Sequence, residues 1–320
     1  MKLTRRELLH LGFIGAGGLV LGGLYEKFGT RPNVLTGPTF GQLLSARRQA
    51  GDGSLQVFVG GEDYVAGVDN YVVLFLQHGG ANGARIFGTD ARMWITPTAD
   101  PSARLMPTGP IPSPWFGYAH PDGPPPLPQG LNAVRINFST PGFWTLIAET
   151  TTQTRLIGTT YIQVKAKGNT DTKIPGDAAI PSLTPTVANN EGVSPICTRK
   201  PPCDMHEITL KDAISSGKPT AFFVGTPEFC QSRNCGPSLD ELIAVEANLR
   251  GRANFVHAEV YLNDQTQTIE RQIPSPTFKE WAFQSEPWLF VIDRNGIIAA
   301  RFEGGFTASQ AQAALQPLMG

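Results

Sequence analysis

Two cysteines, Cys230 and Cys235, stand between a predicted strand and a predicted helix, and this placement constrains the chain more than any other feature. The apolar run at 220–224 precedes them and is typical of a buried strand. Ser238 follows as a candidate helix cap, and Glu241 three residues later completes a capping-box pattern. Unpaired amide hydrogens at a helix N-terminus favour the thiolate, which is the reactive form of cysteine. The turn therefore suits a redox-active dithiol.

The amino terminus predicts export. A charged start that contains Arg5 and Arg6 precedes a short apolar, glycine-rich stretch at 11–24, as in a secretion signal. The paired arginines resemble a twin-arginine signal; a plain signal anchor is the alternative. The stretch is short for a spanning helix, which needs about 20 apolar residues. No clear A-x-A cleavage site follows, so membrane anchoring through residues 1–25 stays open. The expected location is extracytoplasmic, in the periplasm or at the cell surface.

Export changes the interpretation of the four cysteines, because disulfides persist outside the cytoplasm. They form two short-range pairs, and neither pair has the usual spacing of a four-ligand zinc site. The pattern favours disulfides over metal and predicts a structural disulfide between Cys197 and Cys203. Two other interpretations stay open for this segment. The pair could relay electrons to the second dithiol, or Cys203 and His206 could supply soft ligands to copper.

Length and charge bound the organisation of the chain. The 320 residues allow about two domains. A formal net charge of −1 gives no support to nucleic-acid binding. The predicted division is a signal or anchor segment at 1–25, a polar tether at 26–53, a β-sandwich domain at 54–166, a proline-rich linker at 167–196 and a second domain at 197–320.

The first domain is predicted to be all-β. Short runs rich in β-branched and aromatic residues lie at 55–59, 71–76, 92–95, 134–138, 143–149 and 160–165. Many short strands with turn signals between them favour an antiparallel β-sandwich. The hairpin at 138–146 resembles the late hairpin of immunoglobulin-like modules in secreted bacterial proteins, with Phe138, Phe143 and Trp144 as packing residues. The proline-rich stretch at 110–128 is predicted to be a long surface loop.

In the second domain, strands and helices alternate. The predicted strands are 220–224, 254–261, 288–292 and 297–302, and the predicted helices are 238–250, 277–283 and 308–318. The order β-α-β-α-β-β-α, with a cysteine pair after the first strand, resembles the thioredoxin superfamily over about residues 205–320. Phe229-Cys230 falls where that family has an aromatic residue before its first cysteine. The stretch at 293–298 is similar to a turn of its extracytoplasmic, membrane-tethered members.

The resemblance implies a thioredoxin-like fold and assigns Cys230, Cys235 and Pro287 to the active site. Pro287 directly precedes an apolar strand, where the family places a cis-proline that faces the cysteines. The spacing here is C-x₄-C instead of C-x-x-C. A second register, in which Cys235-Gly236-Pro237-Ser238 takes the place of C-G-P-C, makes Cys235 the nucleophile. The first register keeps the expected distance from the strand better and favours Cys230, and Cys235 stays open as the alternative. Glu286 before Pro287 also departs from the family, and a carboxylate there would raise the thiol pKa.

These features predict an exported thiol–disulfide oxidoreductase that uses Cys230 and Cys235, needs no cofactor or metal, and acts on an exported protein with a disulfide. The alternative is a non-catalytic cell-surface binding or scaffold protein with a degenerate thioredoxin fold and structural disulfides. A peroxiredoxin-like peroxidase is less favoured, because Thr226 and Pro227 stand in the wrong order before Cys230. The sequence leaves open the direction of electron flow, the partner and the role of the sandwich.

Overall fold

The computed structural model describes residues 39–49, 55–79, 83–118 and 129–320. The predicted signal segment at 1–25, most of the tether and the triple proline at 124–126 lie outside these residues. Within the described ranges, no helix has the length and apolar character that crossing a membrane requires.

The first domain consists of two packed sheets. Its strands in the described residues are β1 Leu55–Val59, β2 Tyr64–Val65, β3 Asp69–His78, β4 Ala91–Thr96, β5 Thr108–Ser113, β6 Trp115–Gly117, β7 Gly130–Asn137, β8 Gly142–Thr151 and β9 Arg155–Lys165. One sheet has the order β1-β3-β7-β6 and the other β2-β9-β8-β4-β5. Leu74, Met93 and Leu146 contribute to the core between them. The six predicted strands are confirmed, and the immunoglobulin-like character stays a prediction.

The proline-rich stretch is not the uniform loop that the sequence predicts. Strand β5 contains Pro110 and Pro112 and forms one edge of the five-stranded sheet, while β6 forms one edge of the four-stranded sheet. Proline lacks an amide hydrogen, so it is tolerated in an edge strand, where one side of the backbone needs no partner. Residues 119–128 lie outside the described part of the chain.

The predicted tether also contains a helix, α1 Phe40–Gln49. Thr39 and Gln42 form a capping box in which each backbone N–H donates to the other side chain, at 2.7 and 3.2 Å. Phe40 is buried against Trp94 and Ile147 of the sandwich. The helix therefore packs on the first domain through its first residue. The composition of this segment predicts only a polar tether.

The second domain is built on a four-stranded mixed sheet. Its elements are α2 Leu210–Ser215, β10 Thr220–Val224, α3 Cys235–Leu249, β11 Asn254–Ala258, α4 Pro276–Glu280, β12 Trp288–Ile292, β13 Ile298–Glu303 and α5 Ala308–Leu315, followed by a 3₁₀ turn at Gln316–Met319. The strand order is β11-β10-β12-β13. β10 runs parallel to β11 and antiparallel to β12, and β12 pairs antiparallel with β13. This topology agrees with the thioredoxin-like domain that the resemblance implies.

Helix α3 begins three residues earlier than predicted, at Cys235, with Asn234 as its N-cap residue. Ser238 is therefore inside the first turn and fully buried, and the predicted capping box does not form. Glu241 serves another helix instead, since its Oε2 accepts a hydrogen bond from the Ala308 N–H at 2.6 Å, at the start of α5. The earlier start places a cysteine at the first helical position.

The predicted linker is packed against the second domain. Ile174, Ala179 and Val193 are buried, although the segment has only a 3₁₀ turn at Lys167–Asn169 and no longer regular element. Ser182 Oγ accepts a hydrogen bond from Trp281 Nε1 at 2.9 Å in the core. Buried apolar side chains and a buried hydrogen bond thus fix this segment on the domain, although its composition is typical of a free spacer.

The sandwich and the second domain share a hydrophobic core. Tyr71 and Leu131 from the outer face of one sheet pack with Phe302 and Phe306. The Tyr71 hydroxyl donates to Gln310 Oε1 at 2.8 Å. The β-sandwich therefore covers one side of the domain that carries Cys230 and Cys235.

Candidate functional site

Cys230 and Cys235 form a disulfide at the N-terminus of α3, with their Cα atoms 6.0 Å apart. Cys230 lies in the turn after β10, and Cys235 is the first residue of the helix. The structure thus brings together the two cysteines that the sequence singles out. A sulfur at this position lies near the unpaired amide hydrogens that begin a helix.

The two sulfurs differ in exposure and in contacts. Cys235 is fully buried, whereas Cys230 is partly exposed. The Cys235 N–H points at Cys230 Sγ, 3.3 Å away, and Ser232 Oγ lies 3.3 Å from the same sulfur. Donors directed at Cys230 Sγ stabilise negative charge there. Cys230 therefore has the more accessible sulfur, and a backbone N–H is directed at that sulfur.

Glu286 places a carboxyl group against the buried sulfur. Its Oε2 lies 3.3 Å from Cys235 Sγ and accepts a hydrogen bond from the Thr226 N–H at 2.7 Å. Burial raises the pKa of Glu286 from 4.5 to about 8, against the lowering effect of the Thr226 hydrogen bond. At neutral pH the protonated form therefore predominates. The sequence predicts that a Glu286 carboxylate would repel a cysteine thiolate. A protonated carboxyl group carries no charge, so this repulsion is weaker.

Pro287 is buried beside this group, and the Glu286–Pro287 peptide bond is cis. Its carbonyl oxygen accepts a hydrogen bond from the Gly304 N–H at 3.0 Å. The Gly304 carbonyl in turn accepts from Asn234 Nδ2 at 3.2 Å, next to Cys235. A chain of hydrogen bonds therefore connects the Pro287 loop, the end of β13 and the start of α3.

The other cysteine pair lies elsewhere in the domain and differs from the predicted disulfide. Cys197 and Cys203 are free thiols, and their Sγ atoms are 3.7 Å apart. His206 and His257 direct ring nitrogens at them. The sequence indicates Cys203 and His206 as neighbouring soft ligands but gives no sign of His257. A hydrogen bond from the His257 backbone N–H to the Met205 carbonyl holds that residue beside them.

No protein-family model and no curated relative matches this chain. Solved structures that it resembles include a secreted thiol-disulfide isomerase from Corynebacterium glutamicum, at 16% identity and a TM-score of 0.28 over 35% of this chain and 75% of that one. A putative thiol:disulfide interchange protein DsbE from Chlorobium tepidum matches at 15% identity and a TM-score of 0.32 over 46% of this chain and 98% of that one.

The PKD domain of the human VPS10 domain-containing receptor SorCS2 also matches, at 13% identity and a TM-score of 0.17 over 46% of this chain and 90% of that one. Similarities at this level establish neither a family nor an activity for this chain.

Proposed function

We propose that the chain is a thiol–disulfide oxidoreductase in which Cys230 exchanges with the substrate and Cys235 is its partner. The observation that carries the proposal is the asymmetry of the disulfide at the start of α3. One sulfur is partly exposed and receives the Cys235 N–H, and the other is buried against the Glu286 carboxyl group. This arrangement gives each sulfur a separate role in exchange.

The oxidised protein reacts in two balanced steps. A substrate thiolate attacks Cys230 Sγ, forms a mixed disulfide and breaks the Cys230–Cys235 bond, so that Cys235 leaves as a thiolate. A second substrate thiolate then attacks the substrate sulfur of the mixed disulfide, which releases an oxidised substrate and leaves Cys230 reduced. The same steps in reverse reduce a substrate disulfide.

Glu286 supplies the proton that the buried sulfur needs. Its raised pKa keeps the carboxyl group protonated at neutral pH, and its Oε2 is 3.3 Å from Cys235 Sγ. A protonated carboxyl group at this distance can transfer its proton to the departing Cys235 thiolate, and the carboxylate can take it back in the reverse direction. Burying an unpaired thiolate is costly, so this transfer favours opening of the disulfide.

A peroxidase has less support at this site. The Thr226 hydroxyl accepts a hydrogen bond from the Val260 N–H at 2.7 Å, and the same hydroxyl lowers the pKa of Glu259 through a hydrogen bond. These contacts fix Thr226 between β10 and the end of β11. A hydroxyl held in this way is poorly suited to orient a peroxide at Cys230, which favours the dithiol chemistry.

The second candidate function is a binding or scaffold protein with a structural disulfide. The packing of Tyr71 and Leu131 on Phe302 and Phe306 favours it, because the sandwich and the second domain are held together as in a rigid module. In that case the Cys230–Cys235 bond would resist reduction. The two candidates differ in one measurable property, the reactivity of this disulfide.

Insulin reduction by the purified protein, with dithiothreitol as electron donor, tests the proposal. We expect activity in the native chain and its loss in Cys230→Ser and in Cys235→Ser. Gln231→Ser is the matched control, since this exposed residue lies in the same turn and should leave the activity unchanged. Activity that survives both cysteine substitutions, or a native disulfide that dithiothreitol does not reduce, would contradict the dithiol mechanism and favour the scaffold.

The proposal places the protein outside the cytoplasm, where its partner would be an exported protein with a disulfide. Support comes from the sequence, through Arg5-Arg6 and the apolar stretch at 11–24, which lie outside the described residues. Replacing both arginines with lysine in the native host should retain the chain in the cytoplasmic fraction if the twin-arginine route is used. Unchanged fractionation would contradict that route.

A further inference from the structure

Four soft donor groups converge on one point beside the edge strand β11. Cys197 and Cys203 come from the loop before α2, His206 follows three residues later, and His257 lies in β11. One donor atom from each of the four lies within 4.8 Å of every other. The backbone N–H of His257 donates to the Met205 carbonyl at 2.9 Å, and this bond holds the loop against the strand.

Four of the six distances between donor atoms match those of a tetrahedral metal centre, and the other two are at most 4.8 Å. Zinc bonds of about 2.3 Å to sulfur and about 2.0–2.1 Å to nitrogen, at tetrahedral angles, place two sulfurs about 3.8 Å apart and a sulfur and a nitrogen about 3.6 Å apart. Here the two Sγ atoms are 3.7 Å apart, and Cys203 Sγ lies 3.5 Å from His206 Nε2 and 3.3 Å from His257 Nδ1. Cys197 Sγ lies 3.8 Å from His257 Nδ1.

The other ring nitrogen of His257, Nε2, has its own hydrogen-bond partner. Its Nε2 lies 2.9 Å from the Gly225 carbonyl oxygen, so the proton belongs on Nε2 and the Nδ1 lone pair faces the sulfurs. A ligating histidine whose other ring nitrogen donates to a carbonyl is the usual arrangement around a protein-bound metal. The His206 ring packs on the His257 ring, with centroids 4.9 Å apart, and this contact orients it.

A further layer of contacts orients Cys197. The Glu259 carboxylate accepts hydrogen bonds from the Thr198 N–H at 2.6 Å and from the Thr198 hydroxyl at 3.1 Å. Thr198 directly follows Cys197, so these bonds fix the backbone that carries the sulfur. The Glu259 Oε1 also lies 3.9 Å from His257 Nε2. One buried carboxyl group therefore fixes the backbone next to Cys197 and lies close to the His257 ring.

The burial and charge of the four residues favour a divalent cation in a closed site. Cys197, His206 and His257 are at most 3% exposed, and Cys203 is partly exposed. Two thiolates balance the charge of a divalent cation, so the filled site is neutral and costs little to bury. Four protein ligands leave no open coordination position, as in a structural site. We propose that Cys197, Cys203, His206 and His257 bind one structural Zn²⁺, which ties the loop at 197–206 to β11.

The site would keep these two cysteines reduced in the extracytoplasmic location proposed above. A zinc ion shared by both sulfurs holds them as thiolates and keeps them apart, whereas oxidation of the free pair would form the disulfide that the sequence predicts. The site is distinct from the dithiol at α3, so its test is independent of the oxidoreductase proposal.

Metal analysis of the purified full-length chain, loaded with Zn²⁺ under reducing conditions and then dialysed, tests the proposal. We expect one zinc per chain. Replacement of zinc by Co²⁺ should give the intense visible bands of tetrahedral cobalt and the ultraviolet charge-transfer bands of thiolate ligands. The cobalt spectrum reports the ligands directly in the native protein, so the test does not depend on whether a variant folds.

Variants then assign the ligands. Cys203→Ser, His206→Ala and His257→Ala should each reduce the zinc content to near zero. The double variant Cys230→Ser/Cys235→Ser should keep one zinc per chain, which excludes the separate group of Cys230, Cys235 and Glu286 as the site. His78→Ala changes a histidine at the end of β3, outside the cluster, and should also keep the ion.

Three results would overturn the proposal. One is a reduced, zinc-loaded chain that retains no stoichiometric zinc and gives no tetrahedral cobalt spectrum. Another is stoichiometric binding of Cu⁺ by these four residues without binding of Zn²⁺. The third is a native protein, loaded in the same way, whose Cys197 and Cys203 are joined by a disulfide in its peptide map.

Discussion

The Glu286 carboxyl oxygen Oε2 lies 3.3 Å from the buried sulfur of Cys235 and is held there by the Thr226 N–H. This contact separates the two cysteines chemically. Cys230, the partly exposed sulfur, has amide and hydroxyl groups around it, whereas Cys235 has a carboxyl group whose pKa burial raises to about 8. A proton donor therefore stands beside the sulfur that has to leave when the disulfide opens.

Cys235→Ser should trap a mixed disulfide, because the substituted chain lacks the sulfur that would displace the substrate from Cys230. After incubation with oxidised glutathione, intact mass spectrometry should show one glutathione on Cys230 of this variant. Cys230→Ser should show little adduct, since Cys235 is fully buried. The zinc site should be loaded in both variants so that Cys197 and Cys203 do not react. A stronger adduct on Cys230→Ser would assign the nucleophile to Cys235 instead.

Glu286→Gln should slow reduction of the Cys230–Cys235 disulfide by up to about 100-fold at neutral pH, because the amide cannot transfer a proton to Cys235. In the native chain the carboxyl group loses its proton as the pH rises through about 8, so its help declines above that pH. The ratio of native to variant rate should therefore shrink as the pH rises.

Stopped-flow fluorescence during reduction by dithiothreitol, over a pH series, measures this ratio. Thiolate formation on dithiothreitol accelerates both proteins equally and cancels in the ratio. Gln284→Ala, an exposed change in the loop before Pro287, is the matched control. A ratio that does not depend on pH would show that Glu286 acts only through packing.

Asp63→Asn should destabilise the chain by about 3–5 kcal/mol, because it leaves a buried arginine without its charge partner. Asp63 Oδ2 accepts a hydrogen bond from Arg301 Nη1 at 2.8 Å across the contact between the sandwich and the second domain. Urea denaturation of the oxidised protein measures the change. Asp69→Asn is the control, since its ion pair with Arg135 is largely exposed and is worth at most about 1 kcal/mol.

The same ion pair gives a pH prediction. Burial acts to raise the pKa of Asp63, but the charge of Arg301 and hydrogen bonds from Lys165 and Thr170 outweigh it and lower the pKa from 3.8 to about 2. A lowered pKa stabilises the fold above pH 3.8, and this contribution is lost as the pH falls from 3.8 through about 2. Asp63→Asn should remove this part of the acid transition. An unchanged acid transition would show that Asp63 is not the group responsible.

Gly304→Ala should destabilise the chain more than Gly296→Ala. Both glycines have positive φ, +84° and +79°, which costs an alanine about 1–2 kcal/mol. A Cβ at Gly304 would also lie 2.1 Å from the Gly60 carbonyl oxygen of the sandwich, whereas a Cβ at Gly296 would meet nothing within 4 Å. The difference between the free energies of unfolding of the two variants, measured by urea denaturation, gives the cost of the contact with Gly60. Equal losses would mean that the contact relaxes without cost.

Local patterns predicted much of the secondary structure. The run at 220–224 became β10 and the run at 288–292 became β12, because uninterrupted apolar residues need a place inside a sheet. The pattern at Ser238 and Glu241 misplaces the start of α3, because Ser238 is buried inside the first turn and Glu241 accepts a hydrogen bond at the start of α5 instead. Strands β5 and β6 were missed for another reason. The prolines of β5 are compatible with a sheet only at an edge, β6 has only three residues, and edge positions are decided by how the whole sheet assembles.

The sequence by itself determined that a cysteine pair stands between a strand and a helix, that Pro287 precedes an apolar strand, and that Cys197 and Cys203 are close along the chain. These features depend only on the order and spacing of residues along the chain. Only the tertiary structure decided which sulfur is buried, that Glu286 faces Cys235, and that His257 joins Cys197, Cys203 and His206. The antiparallel pairing of β10 with β12 and the hydrogen bond from the His257 backbone N–H to the Met205 carbonyl bring together residues that are far apart in the sequence, and no local pattern encodes these contacts.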